Sequence, residues 1–151
     1  MQDVDKVIND YSGRSRIVLD YSLIVKDIVD SAKKPGFSAR SWEPLAALVE
    51  TSSFQRVGNF KEVMSWDEYI GFLTQWAPTA QWECSFKRIT EHGNLVFLEL
   101  EERSRVGEYS NVVNSVSVYE FSKADKIEHI DVYLQMELPP PEMLQSYEGV
   151  L

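Results

Sequence analysis

The sequence predicts an α+β fold, with helices first and a curved antiparallel sheet after them. Apolar residues recur at helical spacing in the first half of the chain, and their period changes to two from Thr79 onward. Helices followed by a meander of long strands usually pack on one face of the sheet. A sheet of long strands is strongly curved, so we expect a cone with an open mouth, wrapped on one face by the N-terminal helices.

Two helices are expected in the first part of the chain. A short amphipathic one has its apolar face at Val4, Val7, Ile8 and Tyr11. A longer one runs from about Arg14 to Lys33 and ends at Pro35-Gly36. Its apolar stripe consists of Ile17, Tyr21, Ile24, Val25 and Ile28.

Two further helices have recognisable starts. Ser41 is a suitable N-cap for a helix from Trp42 to about Val49. Ser65 and Glu68 match the S-x-x-E capping box, in which each residue bonds the backbone of the other. The helix behind that box is expected to end at Pro78.

Four strands are expected in the second half. Alternation begins with Trp82, Cys84 and Phe86, and later strands span about 95–105, 109–121 and 127–135. We expect one domain over residues 1–151, with a core at about 14–135 and a tail at 136–151.

Charge and cysteine content exclude several classes of function. The formal net charge is −9, which disfavours nucleic acid and anionic membrane surfaces as partners. Cys84 is the only cysteine, and the two histidines lie in no metal signature, so we expect no metal and no cofactor. No apolar run has membrane-spanning length, and we expect a cytoplasmic protein.

Three stretches carry a resemblance to a known family. They are Trp42–Leu48 followed by Phe54–Gly58, then Ser65–Ile70, and then Val118–Phe121 with Lys126-Ile127 and Asp131–Tyr133. In this order and spacing the chain resembles the nuclear-transport-factor-2-like superfamily, in particular its SnoaL-like, polyketide-cyclase-like branch. One departure is Asp125, which stands where the family usually has a turn glycine.

The resemblance implies a cone with an apolar pocket, but the usual acid and base residues of its enzymes are absent. The acid on the third long strand of isomerases and epoxide hydrolases corresponds to Ser117, and the hydrolase arginine to Ser115. The isomerase base corresponds to Gln55, and the dehydratase histidine to Trp82. Neutral side chains of these types cannot act as strong bases.

Two sets of residues remain as catalytic candidates. Tyr21 lies where the resemblance places an oxyanion-stabilising tyrosine, and otherwise it is a core tyrosine. His129 and Asp131 share a face of the last strand and could form a general base. They point away from the pocket if Ile130 and its i+2 neighbours face it, and a β-bulge after Ile127 would reverse that assignment.

The remaining candidates are ligand-binding residues. Arg56 could anchor a carboxylate, and the others would form the wall with it: Gln55, Trp82, Phe86, Asn114, Ser115, Ser117, Val132 and Leu134. We expect a protein that binds a small hydrophobic or aromatic molecule, with weak acid–base chemistry as an added option. The alternatives are an isomerase, dehydratase or cyclase acting on a polyketide- or steroid-like substrate, and a dimeric structural module without a ligand. Family resemblance also implies a homodimer formed through the outer sheet face.

Overall fold

The computed structural model describes residues 1–137, which form four α-helices and one six-stranded sheet. The expected tail lies almost wholly outside the described residues. The helices are α1 (Val4–Val7), α2 (Gly13–Ser31), α3 (Glu43–Ala46) and α4 (Trp66–Trp76). The strands are β1 (Gln55–Val57), β2 (Val63–Ser65), β3 (Ala80–His92), β4 (Leu95–Val106), β5 (Tyr109–Phe121) and β6 (Ile127–Gln135). No helix within residues 1–137 is long and apolar enough to cross a membrane.

Helix α2 lies close to its predicted position, but its buried face is wider than the predicted stripe. Tyr21, Val25 and Ile28 are buried as expected, whereas Ile17 and Ile24 are only half-buried. Val18 and Leu19, which lie next to the predicted stripe and not in it, are fully buried as well. The reason is that α2 packs against β3 and β4 as well as against α1 and α3, so it buries more than one stripe.

The third helix is shorter than predicted and starts one residue later, at Glu43. A 3-10 turn at Ala39–Trp42 leads into α3. Ser38, rather than Ser41, caps the start of this turn. The Ser38 side chain accepts a hydrogen bond from the backbone N–H of Arg40, and Ser41 Oγ accepts one from the backbone of Ser38. The predicted capping box of α4 is present, with Ser65 and Glu68 each bonding the backbone of the other.

The sheet is mixed rather than purely antiparallel. Its strand order is β2-β1-β6-β5-β4-β3, and the two end strands are not paired, so the curved sheet is unclosed. Neighbouring long strands pair antiparallel, as expected, but β1 pairs with β6 in parallel. Strands β1 and β2 have three residues each, too few for a period of two to show in the sequence.

The strand register divides the side chains between an inner and an outer face. The inner face packs on the helices and includes the fully buried Val96 and Leu98 of β4. Their partners across the β4–β5 ladder are Tyr119 and Ser117, which therefore share that face. Phe97 lies between Val96 and Leu98 and faces outward with its partner Val118.

Asp125 occupies the turn before β6 in a left-handed backbone conformation, with φ of 58°. This conformation explains why a glycine is usual there, and aspartate is among the few other residues that tolerate it. The Asp125 carboxylate also pairs with Arg14 of α2 at 2.7 Å. The turn therefore ties the start of β6 to the N-terminal end of the long helix.

Candidate functional site

A cavity lies between the inner sheet face and helices α2 and α4, and we call it the inner cavity. Its outer part has a volume of about 280 Å³ and its deeper part about 100 Å³. The two parts share six lining residues and are therefore continuous: Val25, Arg56, Tyr69, Trp82, Glu102 and Val132. The outer part adds Phe72, Trp76 and Leu134, and the deeper part adds Tyr21, Ser117 and Tyr119.

Alternation along the strands determines which side chains reach the inner cavity. Arg56 pairs in register with Ile130, and Ser117 pairs with Val132, so these residues share the inner face. Glu102 follows Leu98 and Leu100 at intervals of two on β4. The cavity thus receives polar groups from three strands and two tyrosines from the helices.

Tyr21 brings a fully enclosed hydroxyl to the deep end of the cavity. Its side chain is 4% exposed, and its hydroxyl has no hydrogen-bond partner among residues 1–137. The ring meets that of Tyr119 edge-on, with centroids 5.6 Å apart. Burial, with a further contribution from Tyr69, raises the pKa of Tyr21 well above its usual value, so this phenol is a neutral hydrogen-bond donor.

Arg56 brings a guanidinium to the same cavity. Its central carbon lies 4.8 Å from the centroid of the Tyr69 ring, within the range of a cation–π interaction. Within residues 1–137, no carboxylate oxygen lies within 4.0 Å of the Arg56 side chain. The N–H groups of this half-buried cation are therefore left for water or a ligand.

Glu102 is a cavity residue that was not among the sequence candidates. Three acidic residues stand close together on β4, at Glu99, Glu101 and Glu102, but adjacent residues of a strand point to opposite faces, so Glu102 does not share the face of Glu101. Glu102 lines both parts of the cavity, and its Oε1 accepts a hydrogen bond of 2.9 Å from Trp82 Nε1. The available signal was its position two residues after Leu100.

Six of the twelve candidate residues line the inner cavity, four through polar or aromatic side chains and two through apolar ones. The first group is Tyr21, Arg56, Trp82 and Ser117, and the apolar residues are Val132 and Leu134. Ser115 has an inward position and is 3% exposed, but its hydroxyl, which has no partner among residues 1–137, is enclosed in the core and does not line the cavity.

Three other candidates, Gln55, Phe86 and Asn114, lie outside the inner cavity. Gln55 and Asn114 do not line the cavity, because the strand register turns both side chains to the outer face. There Asn114 accepts a hydrogen bond from Lys87 and donates one to Gln135. Phe86 lies outside the cavity as well, because the N-terminal segment covers it: Tyr11 packs on its ring, and its N–H donates to the carbonyl of Gln2.

His129 and Asp131 form a pair on the outer face of β6. Their Nε2 and Oδ1 atoms lie 2.9 Å apart. The pairing of β5 with β6 shifts register next to Ile127, yet Ile130 remains buried, and Val132 and Leu134 line the cavity. The alternation therefore places His129 and Asp131 away from the cavity, where they cannot act as the base for a ligand held there.

A second cleft lies between α1, α2 and β3 and is bordered by charged side chains such as Asp3, Lys26 and Arg103. It contains the free cysteine, Cys84. Burial raises the pKa of the Cys84 thiol to about 11, so it is protonated at neutral pH. Among residues 1–137 no three His, Cys, Asp or Glu side chains are close enough together to hold a metal ion.

Comparison with solved structures gives the fold. An epoxide hydrolase/cyclase-like enzyme, SalBIII, aligns with a TM-score of 0.61 and 14% identity, over 82% of this chain and 91% of the other. A SnoaL-like protein from Jannaschia sp. CCS1 aligns with a TM-score of 0.59 and 11% identity, over 86% and 98%. The chain has the nuclear-transport-factor-2-like fold.

A third protein, an NTF2-like protein from Anabaena variabilis ATCC 29413, agrees with this, with a TM-score of 0.57 and 15% identity over 84% of this chain and 93% of that one. No family model matches the sequence, and no curated protein does either. The predicted NTF2-like fold is therefore confirmed from structure. At these identities the likeness concerns the fold, and function has to be argued from the site.

We predict that Tyr21→Phe stabilises the unliganded protein. An enclosed hydroxyl without a partner costs folding free energy, and phenylalanine removes that cost while keeping the ring. The free energy of unfolding should rise by about 1 kcal/mol, measured by urea denaturation. Tyr119→Phe is the matched control, because the Tyr119 hydroxyl is not among the enclosed atoms without a partner. A loss of stability in Tyr21→Phe alone would show that this hydroxyl has a structural partner.

Proposed function

We propose that the inner cavity binds a small, mainly apolar, aromatic molecule. The observation that carries this proposal is a continuous cavity with aromatic and aliphatic walls and a few fixed polar groups at its deep end. Sites for small organic ligands have this composition, with apolar surface for affinity and few polar groups for orientation. Burial of apolar ligand area stabilises a complex by about 25 cal/mol per Å², before the costs of association.

The state of the polar groups supports the same proposal. A structural module that needs no ligand would be expected to fill its cone with side chains and to pair its buried polar atoms. Here the Tyr21 hydroxyl is enclosed without a partner, and Arg56 has no carboxylate within ion-pair distance among residues 1–137. Both groups face the cavity, where a ligand can satisfy them.

Acid–base catalysis in the same cavity is the second candidate function. The combination of a neutral phenol at Tyr21 and a carboxylate at Glu102 favours it, since both line the deep part. The carboxylate could remove a proton next to a carbonyl group while the phenol donates a hydrogen bond to the carbonyl oxygen. An isomerase, dehydratase or cyclase could use this pair, and SalBIII, which is similar in fold, has a role in pyran ring formation.

We also propose that the protein forms a homodimer through the outer sheet face. Tyr133 and Val112 are 59% and 49% exposed on this face, and Phe97, Val116 and Val118 beside them are only half-buried. This mixture of apolar and charged side chains is typical of a protein interface. A cytoplasmic location remains part of the proposal, and a free Cys84 suits a reducing compartment.

Binding in the cavity can be tested by tryptophan fluorescence, because Trp76 and Trp82 both border it. Planar aromatic compounds should quench the emission saturably, and Trp82→Phe should reduce the quenching. Trp66→Phe is the control, since Trp66 is a core residue that does not line the cavity. Val132→Trp should block binding by filling the space, whereas Val63→Trp at an exposed position should not. If no compound of a broad panel binds, the structural module becomes the better reading.

The enzyme and the binder respond differently to Glu102→Gln. A suitable assay follows migration of the double bond in β,γ-unsaturated ketones, which moves a proton from the α to the γ carbon. An enzyme that uses this base should lose about a hundredfold or more in turnover. Glu99→Gln is the matched control on the outer face of the same strand. Absence of turnover in the wild-type protein, with binding retained, would favour the simple binder.

The dimer can be tested by light scattering at micromolar protein. The wild-type protein should have about twice the chain mass of 17.4 kDa. Phe97→Lys should give the mass of one chain, because it places a charge in the middle of the proposed interface. Phe60→Lys is the matched control, as Phe60 is 79% exposed in the turn between β1 and β2. A wild-type mass equal to that of one chain at every concentration would count against the dimer.

A further inference from the structure

We infer that the ligand of the inner cavity is a carboxylate with an aromatic or alicyclic body, held by Arg56 and Tyr21. This inference rests on the proposed binding function and adds the chemical class of the ligand. It is carried by two hydrogen-bond donors that have no acceptor within residues 1–137, together with a carboxylate, Glu102, that already has a donor.

Arg56 is the first of these donors. Guanidinium groups have five N–H donors in a plane, and two of them match the two oxygens of a carboxylate. The guanidinium carbon of Arg56 lies 4.8 Å from the centroid of the Tyr69 ring, a cation–π contact that leaves the N–H groups available. A half-buried cation without an anionic partner is unfavourable, so an anion that enters the cavity gains this interaction.

Tyr21 is the second donor and lies in the same deep part of the cavity as Arg56. The Arg56 charge is close enough to Tyr21 and Tyr119 to oppose the rise in pKa that burial produces in both phenols. Two donors that converge on one space recognise an acceptor-rich group. A carboxylate has two oxygens and can accept from both.

Glu102 is the group that could instead select a cation, and its surroundings argue against that. Its Oε1 already accepts from Trp82 Nε1 at 2.9 Å, which holds the carboxylate against the cavity wall. In the part of the chain that the structure describes, Arg56 has no comparable partner. The remaining lining is aromatic or aliphatic toward the outer part, at Phe72, Trp76 and Leu134, where the apolar body of the ligand would lie.

The test uses three probes of one shape: 2-naphthoate, 2-naphthalenemethanol and 2-naphthylmethylammonium. Their affinities are measured at neutral pH by isothermal titration calorimetry. The wild-type protein should bind the carboxylate about ten- to a hundredfold more tightly than the alcohol, as expected for charge-assisted hydrogen bonds. Arg56→Gln should lower the affinity for the carboxylate far more than that for the alcohol and so abolish this preference, and Arg56→Lys should restore part of it. Tyr21→Phe should lower the affinity for the carboxylate probe more than that for the alcohol probe.

Arg40→Gln is the matched control, because Arg40 is an exposed arginine that lines neither part of the cavity. Equal binding of all three probes, or tighter binding of the ammonium compound that Glu102→Gln removes, would overturn the carboxylate assignment and leave the proposed binding function standing. Failure of all three probes, together with failure of the broad aromatic panel, would count against the binding function itself.

Discussion

The hydrogen-bonded register of β4, β5 and β6 is the constraint on which the cavity depends. Because side chains alternate along a strand, pairing Leu98 with Ser117, and Ser117 with Val132, puts these residues on one face together. A slip of one residue would exchange Glu102 for Glu101 in the cavity and turn the apolar core of β4 outward. The large apolar area buried by the inner face therefore fixes the position of the polar groups.

Those polar groups make folding and function oppose each other in the inner cavity. Tyr21 and Arg56 would stabilise the fold more if they were paired or replaced by apolar side chains. Instead both groups line the inner cavity beside its aromatic walls. Sites that recognise a polar group on an apolar ligand need such unsatisfied donors, and the ligand supplies the missing acceptor.

The sequence predicted the large features of the fold because they have strong local signals. Alternation over long strands located β5 and β6 at their observed bounds, and the capping box located α4. Short β1 and its parallel pairing with β6 have no such signal, since three residues contain no period. The first residues of the predicted third helix form a 3-10 turn instead, which is capped by Ser38, three residues before the serine that the sequence favoured.

The sequence predicted the site residues only where it also predicted which face of a strand points inward. Trp82, Ser117, Val132 and Leu134 follow the inward alternation, and Tyr21 lies on the buried side of α2. The outward direction of His129 was one of two open alternatives, which only the three-dimensional pairing of β6 could decide. Glu102 was missed because it follows other acidic residues on β4, and the inward position of one of them is not visible from charge alone.

The pairing of β1 has a consequence for how a ligand could enter and leave. Arg56 belongs to a strand of three residues, held between β6 and an equally short β2, which ends the sheet. Short elements near a sheet edge can separate from their neighbours at far lower free energy than the long central strands. Arg56 thus belongs to one of the two shortest strands, next to the sheet edge. Release of a ligand could therefore proceed by local opening of β1 and β2 while the long strands stay paired.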